Sequence, residues 1–127
     1  MKKNKIYSIT NLEKKLIEIK KRKKQIVLAH GVFDLLHVGH IKYLKKAKSF
    51  GDILIVSITS DIHVNKGPGR PYFNQKLRAE FLEAISFVDY IIINNFETSE
   101  KIISIIKPDY YVKEANKWID FFWEADL

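Results

Sequence analysis

The sequence contains no cysteine. Disulfide frameworks, thiolate metal sites and cysteine nucleophiles are thereby excluded. No apolar run approaches the roughly 20 residues that a membrane-spanning helix needs. The basic opening, Met1-Lys2-Lys3-Asn4-Lys5-Ile6, has no apolar stretch behind it, so no secretory signal is expected and the expected location is cytoplasmic. Glycine and proline are scarce, at 5 and 3 residues, and no repeat or low-complexity tract appears apart from a lysine run. What is present excludes a wholly disordered chain: 46% of the 127 residues are apolar, with 8 Phe, 6 Tyr and 2 Trp, enough for one compact core.

Charge is one-sided but local. The formal net charge is +7, yet residues 1–24 hold ten basic residues against Glu13 and Glu18, a net +8, while residues 25–127 hold twelve basic and thirteen acidic, a net −1. Thr10-Asn11-Leu12-Glu13 reads as a capping box, and Leu12, Leu16 and Ile19 fall at i, i+4 and i+7, so residues 11–22 are expected to form an amphipathic helix with Thr10 as N-cap. Lys20 to Lys24 then suit the negative end of the helix dipole. A basic helix end explains the excess, and nucleic acid is not an expected partner.

From residue 25 the pattern alternates between strand and helix. Gln25 to His30 is a buried strand ending in Gly31. Val38 to Phe50 is a helix closed by Gly51 as a C-terminal glycine, and Asp52 to Thr59 is a β-branched strand. Residues 60–73 are irregular around Gly67-Pro68-Gly69-Arg70-Pro71. Asn74 caps a helix to about Ser86 with Leu77, Phe81, Leu82 and Ile85 inward. Asp89 to Ile93 is a strand, Thr98 or Ser99 caps a helix to Ile106, Pro108 stops it, and Asp109 to Lys113 is the last strand. This order predicts an α/β single domain: a Rossmann-like, doubly wound parallel sheet of four to five strands. Three regions follow: a basic N-terminal helix (1–24), a core (25–113) and an atypical aromatic tail (114–127).

The segment Gly31-Val32-Phe33-Asp34-Leu35-Leu36-His37-Val38-Gly39-His40 joins the first strand to the following helix. In an open parallel sheet, ligands bind beside helix N-termini at the carboxyl ends of strands. His37 and His40 flank Gly39 there; glycine lets an anion approach the backbone, and the helix start offers free N–H groups. These features describe a phosphate-binding turn that meets developing negative charge. Two alternatives stand beside it. The histidines are also consistent with ordinary polar residues at a helix start, and a zinc site would need further ligands from His30, His63 or scattered carboxylates.

The same ten residues resemble the signature of the HxGH nucleotidyltransferase superfamily, and within it the cytidylyltransferase-type branch of glycerol-3-phosphate and choline-phosphate cytidylyltransferases and heptose-phosphate nucleotidyltransferase domains. The likeness runs over about residues 10–113 and takes in Gly51-Asp52, Ser57 to Asp61, Lys66, Arg70, Arg78 and Val88-Asp89. The resemblance implies transfer of a nucleotidyl group, CMP favoured, from NTP to a phosphorylated sugar or polyol with release of pyrophosphate. The acceptor phosphate itself would attack the α-phosphorus, so no general base is required. By resemblance, His37, His40 and Lys66 are catalytic, and Gly31, Val32, Phe33, Gly39, Asp61 and Arg70 line the nucleotide. Arg78 and Lys113 are expected at a phosphate or dimer contact. Mg2+ would travel with the NTP, held by phosphate oxygens and waters rather than protein side chains. CTP or ATP are the nucleotide partners and a homodimer the expected assembly, with no membrane partner.

Two departures from the family pattern stand out. Glu114 follows Lys113 where the family usually has glycine, adding a negative charge near the expected substrate position. No Ser/Thr-rich helix start of the Ile-Ser-Thr-Thr-Lys-Ile type follows; Trp118 to Leu127 instead places four aromatics within six residues. Two other readings follow: an adenylyltransferase of the heptose-phosphate type, which the leading helix resembles and in which such a domain can be fused to a sugar kinase, or a truncated, catalytically impaired nucleotide-binding homologue.

Overall fold

The computed structural model describes residues 4–65 and 67–114. In chain order the elements are α1 (Ile9–Lys21), β1 (Ile26–Gly31), α2 (Val38–Lys48), β2 (Ile53–Thr59), a 3-10 turn (Asp61–His63), α3 (Gln75–Glu83), β3 (Tyr90–Asn94), α4 (Glu100–Ile106) and β4 (Tyr110–Lys113). Among the described residues the strands form one four-stranded parallel sheet in the order β3-β2-β1-β4. This is the expected Rossmann-like α/β architecture.

Strand side chains alternate between faces, and the two core clusters follow that alternation. Val27 and Ala29 of β1, with Leu54 and Val56 of β2, pack under α2 (Leu44, Ala47) and α3 (Ala79, Leu82). Ile26 and Leu28, with Ile55 and Ile92, pack under α1 (Leu12, Leu16, Ile19) and α4 (Ile102, Ile106). The basic leading helix is therefore part of the core. Each of these Val, Leu and Ile side chains contributes about 1.5–3 kcal/mol on full burial, and each alanine less.

Three predicted details are corrected. The N-cap of α1 is Ser8, not Thr10: its side chain accepts from Asn11 N–H, and Tyr7 and Leu12 on either side of the cap join one cluster, as a hydrophobic staple does. In α3 the buried face is Arg78, Ala79 and Leu82, while Leu77 and Phe81 are 42% and 46% exposed. The helix is turned toward Arg78 because that side chain finds buried acceptors. Gly51 lies beyond the α2 C-cap Ser49 and has no left-handed backbone. Its requirement is space, since a Cβ there would meet Val27 Cγ2 at 2.9 Å and the Gln25 carbonyl oxygen at 3.0 Å.

The amino ends of the strands share one device. Asp52, Asp89 and Asp109 immediately precede β2, β3 and β4, and each carboxylate accepts a neighbouring backbone N–H. The donors are Gln25 (2.8 Å), Leu54 (2.8 Å) and Ile26 (2.7 Å). Lys48 Nζ also reaches Asp89, at 2.6 Å. At the opposite end, β2 and β3 lie to one side of β1 and β4 to the other. The chain reverses direction across the sheet between β1 and β4, and such a switch point opens a crevice at the strand carboxyl ends.

Candidate active site

The loop after β1 fills the rim of that crevice. Phe33 has φ +51°, a left-handed conformation that costs a non-glycine residue about 1–3 kcal/mol. Its ring is fully buried between Tyr43 and His40, at centroid distances of 6.2 and 5.8 Å, and that burial anchors the bend. Tyr43 Oη donates to the Val112 carbonyl (3.1 Å), tying α2 to β4.

Asp34 turns inward and clasps the loop that precedes α3. It accepts from Tyr72 N–H (2.7 Å), Phe73 N–H (2.9 Å) and Arg70 Nε (3.0 Å). Burial opposes the charge on Asp34. The backbone N–H groups of Phe73 and Tyr72 and the Arg70 guanidinium outweigh it and hold the carboxyl below its ordinary value. Asp34 belongs to the signature run, yet sequence reasoning assigned it no role; two donors and a cation some 36 to 39 residues away leave no local signal.

His37 is the N-cap of α2, and the two histidines form a capping box. His37 Nδ1 accepts from Gly39 N–H (3.0 Å), and His37 N–H donates to His40 Nδ1 (3.3 Å). Both Nδ1 atoms are thus acceptors, which places the ring proton of each neutral imidazole on Nε2. Burial, then the neighbouring His40, push the His37 pKa down against the pull of Glu114, consistent with a neutral, accepting ring. His40 Nε2–H donates to Glu114 Oε2 at 2.7 Å, and Val32 N–H donates to Glu114 Oε1 at 2.9 Å. The Glu114 side chain, at a position where the family usually has glycine, thus enters the turn.

Beneath this rim, Arg78 braces the carboxyl ends of β1 and β2. With 0% exposure it donates from Nε to Phe73 O (3.0 Å), from one terminal nitrogen to Val32 O and Thr59 O (both 2.8 Å), and from the other to Asp61 Oδ1 (2.7 Å). Arg78 was expected at a phosphate or dimer contact; burial instead gives it an internal role. Asp61, expected beside the nucleotide, is its partner. Arg70, expected on the phosphates, is paired with Asp34 and lies 4.4 Å over the Tyr72 ring. Lys113 is exposed on β4, in register with His30. His30 lines the crevice floor, with Nδ1 at 3.0 Å from Ser57 Oγ, and its burial lowers its pKa, against Glu114 and with Lys113. Gly31, Val32, Phe33, His37, Gly39 and His40 are therefore gathered in one place. Lys66 and residues 115–127 of the aromatic tail lie outside the described residues.

Among the described residues no three histidine or carboxylate side chains gather to hold a metal ion, and no helix is long and apolar enough to cross a membrane. The carboxylates around the turn, Asp34, Asp61 and Glu114, are bound to N–H groups or guanidinium. The turn presents donors, which suit an anion.

Comparison with known proteins gives concordant results. A family model described as cytidylyltransferase-like matches residues 28–126. The bifunctional protein HldE of Campylobacter jejuni (strain RM1221) is 46% identical over 110 residues, covering 85% of this chain and 24% of that protein. The bifunctional protein HldE of Syntrophotalea carbinolica is 41% identical over 101 residues, covering 77% and 21%. This chain thus spans about a quarter of the length of such relatives. The crystal structure of the lipopolysaccharide core biosynthesis protein from Thermoplasma volcanium GSS1 superposes with TM-score 0.64 at 34% identity, covering 69% of this chain and 72% of that one.

Proposed function

The chain belongs to the cytidylyltransferase-like family of HxGH nucleotidyltransferases, and on that premise we propose that it transfers an adenylyl group from ATP to a heptose phosphate, releasing pyrophosphate. The observation that carries this reading is the convergence of Val32 N–H and the His40 Nε2 proton, at the start of α2, on one carboxylate at the switch point. The sequence alone favoured CTP. The relatives tip the choice toward the heptose type: one is named for building a lipopolysaccharide core, a sugar structure, and the others are bifunctional proteins long enough to hold a second domain.

In this reading the ionised acceptor phosphate attacks the α-phosphorus, and pyrophosphate leaves from the opposite side. The protein aligns two anions and stabilises the charge that develops. His37 and His40 act as donors through Nε2, because each Nδ1 is already accepting within the turn. That arrangement supports binding and charge stabilisation, not nucleophilic attack by imidazole. Gly39 and the backbone at Gly31, Val32 and Phe33 give the triphosphate close access. Lys66 and Arg70 cover the phosphates, Arg70 by exchanging Asp34 for phosphate oxygen, and Lys113 stands at a phosphate or a dimer contact. Mg2+ bound with the triphosphate would neutralise part of its charge. The donor-rich turn fits a metal held by phosphate oxygens and waters.

The test is pyrophosphate release from ATP and from CTP, each with a heptose phosphate, with glycerol phosphate, and with neither acceptor. Release that requires both ATP and the sugar phosphate is expected. Release with CTP and glycerol phosphate instead would restore the cytidylyl reading, and saturable ATP binding without release would replace transfer by binding alone. A homodimer is the proposed assembly, which elution at the monomer mass in gel filtration would contradict.

A further inference from the structure

Glu114 occupies the place in the turn that an incoming anion needs. Its two oxygens take one donor from the loop after β1 and one from the first turn of α2, at 2.9 and 2.7 Å. Both are charge-assisted bonds, the stronger class. His40 and Glu114 side chains are only 14% and 12% exposed, so the pair is shielded from water. The approach depends on Gly31, where a Cβ would lie 2.5 Å from Glu114 Cβ and 2.8 Å from its Oε1. The Glu114 backbone is held separately: its N–H donates to the His30 carbonyl at 2.8 Å, extending the β4 ladder by one residue. Moving the carboxylate by side-chain rotation therefore does not require breaking that strand pairing.

We infer that Glu114 is an internal competitor for the anion site of the histidine turn, holding Val32 N–H and His40 Nε2 until a phosphate displaces its carboxylate. The inference rests on the reading that this turn receives a triphosphate. Its consequence is a residue that sets affinity: the empty protein keeps its donors converged and satisfied, and every phosphate that enters must outbid a tethered carboxylate. The same carboxylate returns as pyrophosphate departs, which weakens retention of the product as well as of the substrate.

The test is calorimetric binding of inorganic tripolyphosphate to the full chain in wild type, Glu114→Ala and Glu114→Asp. Alanine removes the competitor, whereas aspartate keeps the charge but loses the reach to both donors. If the carboxylate holds the site nine-tenths of the time, both substitutions tighten binding about tenfold, because apparent affinity scales with the competent fraction. A folded Glu114→Ala protein that binds no more tightly than wild type overturns the inference. So does Glu114→Asp with wild-type affinity, which would mean that charge acts from a distance, and so does absence of tripolyphosphate binding in all three proteins. Should alanine prevent folding, the aspartate variant decides alone. Tripolyphosphate carries no base and no transferable group. Tightening without any ATP turnover would therefore leave this inference standing and remove the proposed function, and ATP turnover without tightening would do the reverse.

Discussion

The two ends of the sheet use carboxylates on backbone N–H groups in the same way and for different purposes. At the amino end, Asp52, Asp89 and Asp109 each take the N–H of a neighbouring strand or its lead-in. Their acceptors serve donors that the fold itself creates. At the carboxyl end, Glu114 takes the Val32 N–H, but its other oxygen takes His40, a donor mounted on the start of a helix and aimed across the crevice. The difference teaches that a hydrogen bond at the rim of an open α/β sheet has a second available partner, the ligand, whereas one at the base has none. Position relative to the switch point separates a structural carboxylate from a displaceable one.

Substitutions can break that comparison. The largest effect is expected from His40→Ala, which removes a donor to developing charge and lowers pyrophosphate release by on the order of 10²–10³-fold; near-wild-type release would show that the rim donor does not serve the reaction. Next is Arg78→Ala. It strips a fully buried guanidinium from three carbonyls and Asp61 and should destabilise the fold by about 3 kcal/mol in urea denaturation. Lysine at this position cannot recover the loss, because a single ammonium does not reproduce the planar fork. At the amino end, Asp89→Ala should cost about 1–2 kcal/mol by orphaning the Leu54 N–H, with tripolyphosphate affinity unchanged. A change in affinity there would erase the distinction between the two ends.

The smallest effect is one of pH. The folded-state pKa of Asp34 lies below its ordinary value of 3.8. Its contribution to stability is thus fully present above that value and is lost as pH falls through the depressed folded value. Urea midpoints measured on either side of pH 3.8 should fall further in wild type than in Asp34→Asn. Equal slopes would show that the clasp on Tyr72 and Phe73 carries no such linkage.

The order of elements and the place of the histidine turn between β1 and α2 are legible in the sequence, because β-branched runs, helical periodicity and a glycine-histidine turn are local signals. Asp52, Asp89 and Asp109 mark the strand starts for the same reason, each standing just before a β-branched or aromatic run. Arg78 is not legible. Hydrophobic periodicity assigns a charged residue to the surface, and only the convergence of Val32, Thr59, Phe73 and Asp61 from separate segments gives its guanidinium a buried home. The same blindness misplaces Leu77 and Phe81, whose exposure follows from the rotation of α3 toward Arg78. Ser8 prevails over Thr10 as the cap because Tyr7 and Leu12 can then pack together, a contact that a four-residue motif does not encode. For Glu114 the sequence shows an unusual charge, and the fold supplies its partners.

The central claim is that the carboxyl end of the sheet transfers a nucleotidyl group by holding anions, with both histidine Nδ1 atoms engaged within the turn and no bond formed to the protein. The most direct measurement is the stereochemical course at the α-phosphorus, with an ATP analogue made chiral there by sulfur substitution. Direct attack by the acceptor phosphate predicts inversion of configuration, and net retention would contradict the account by requiring a nucleotidyl-protein intermediate.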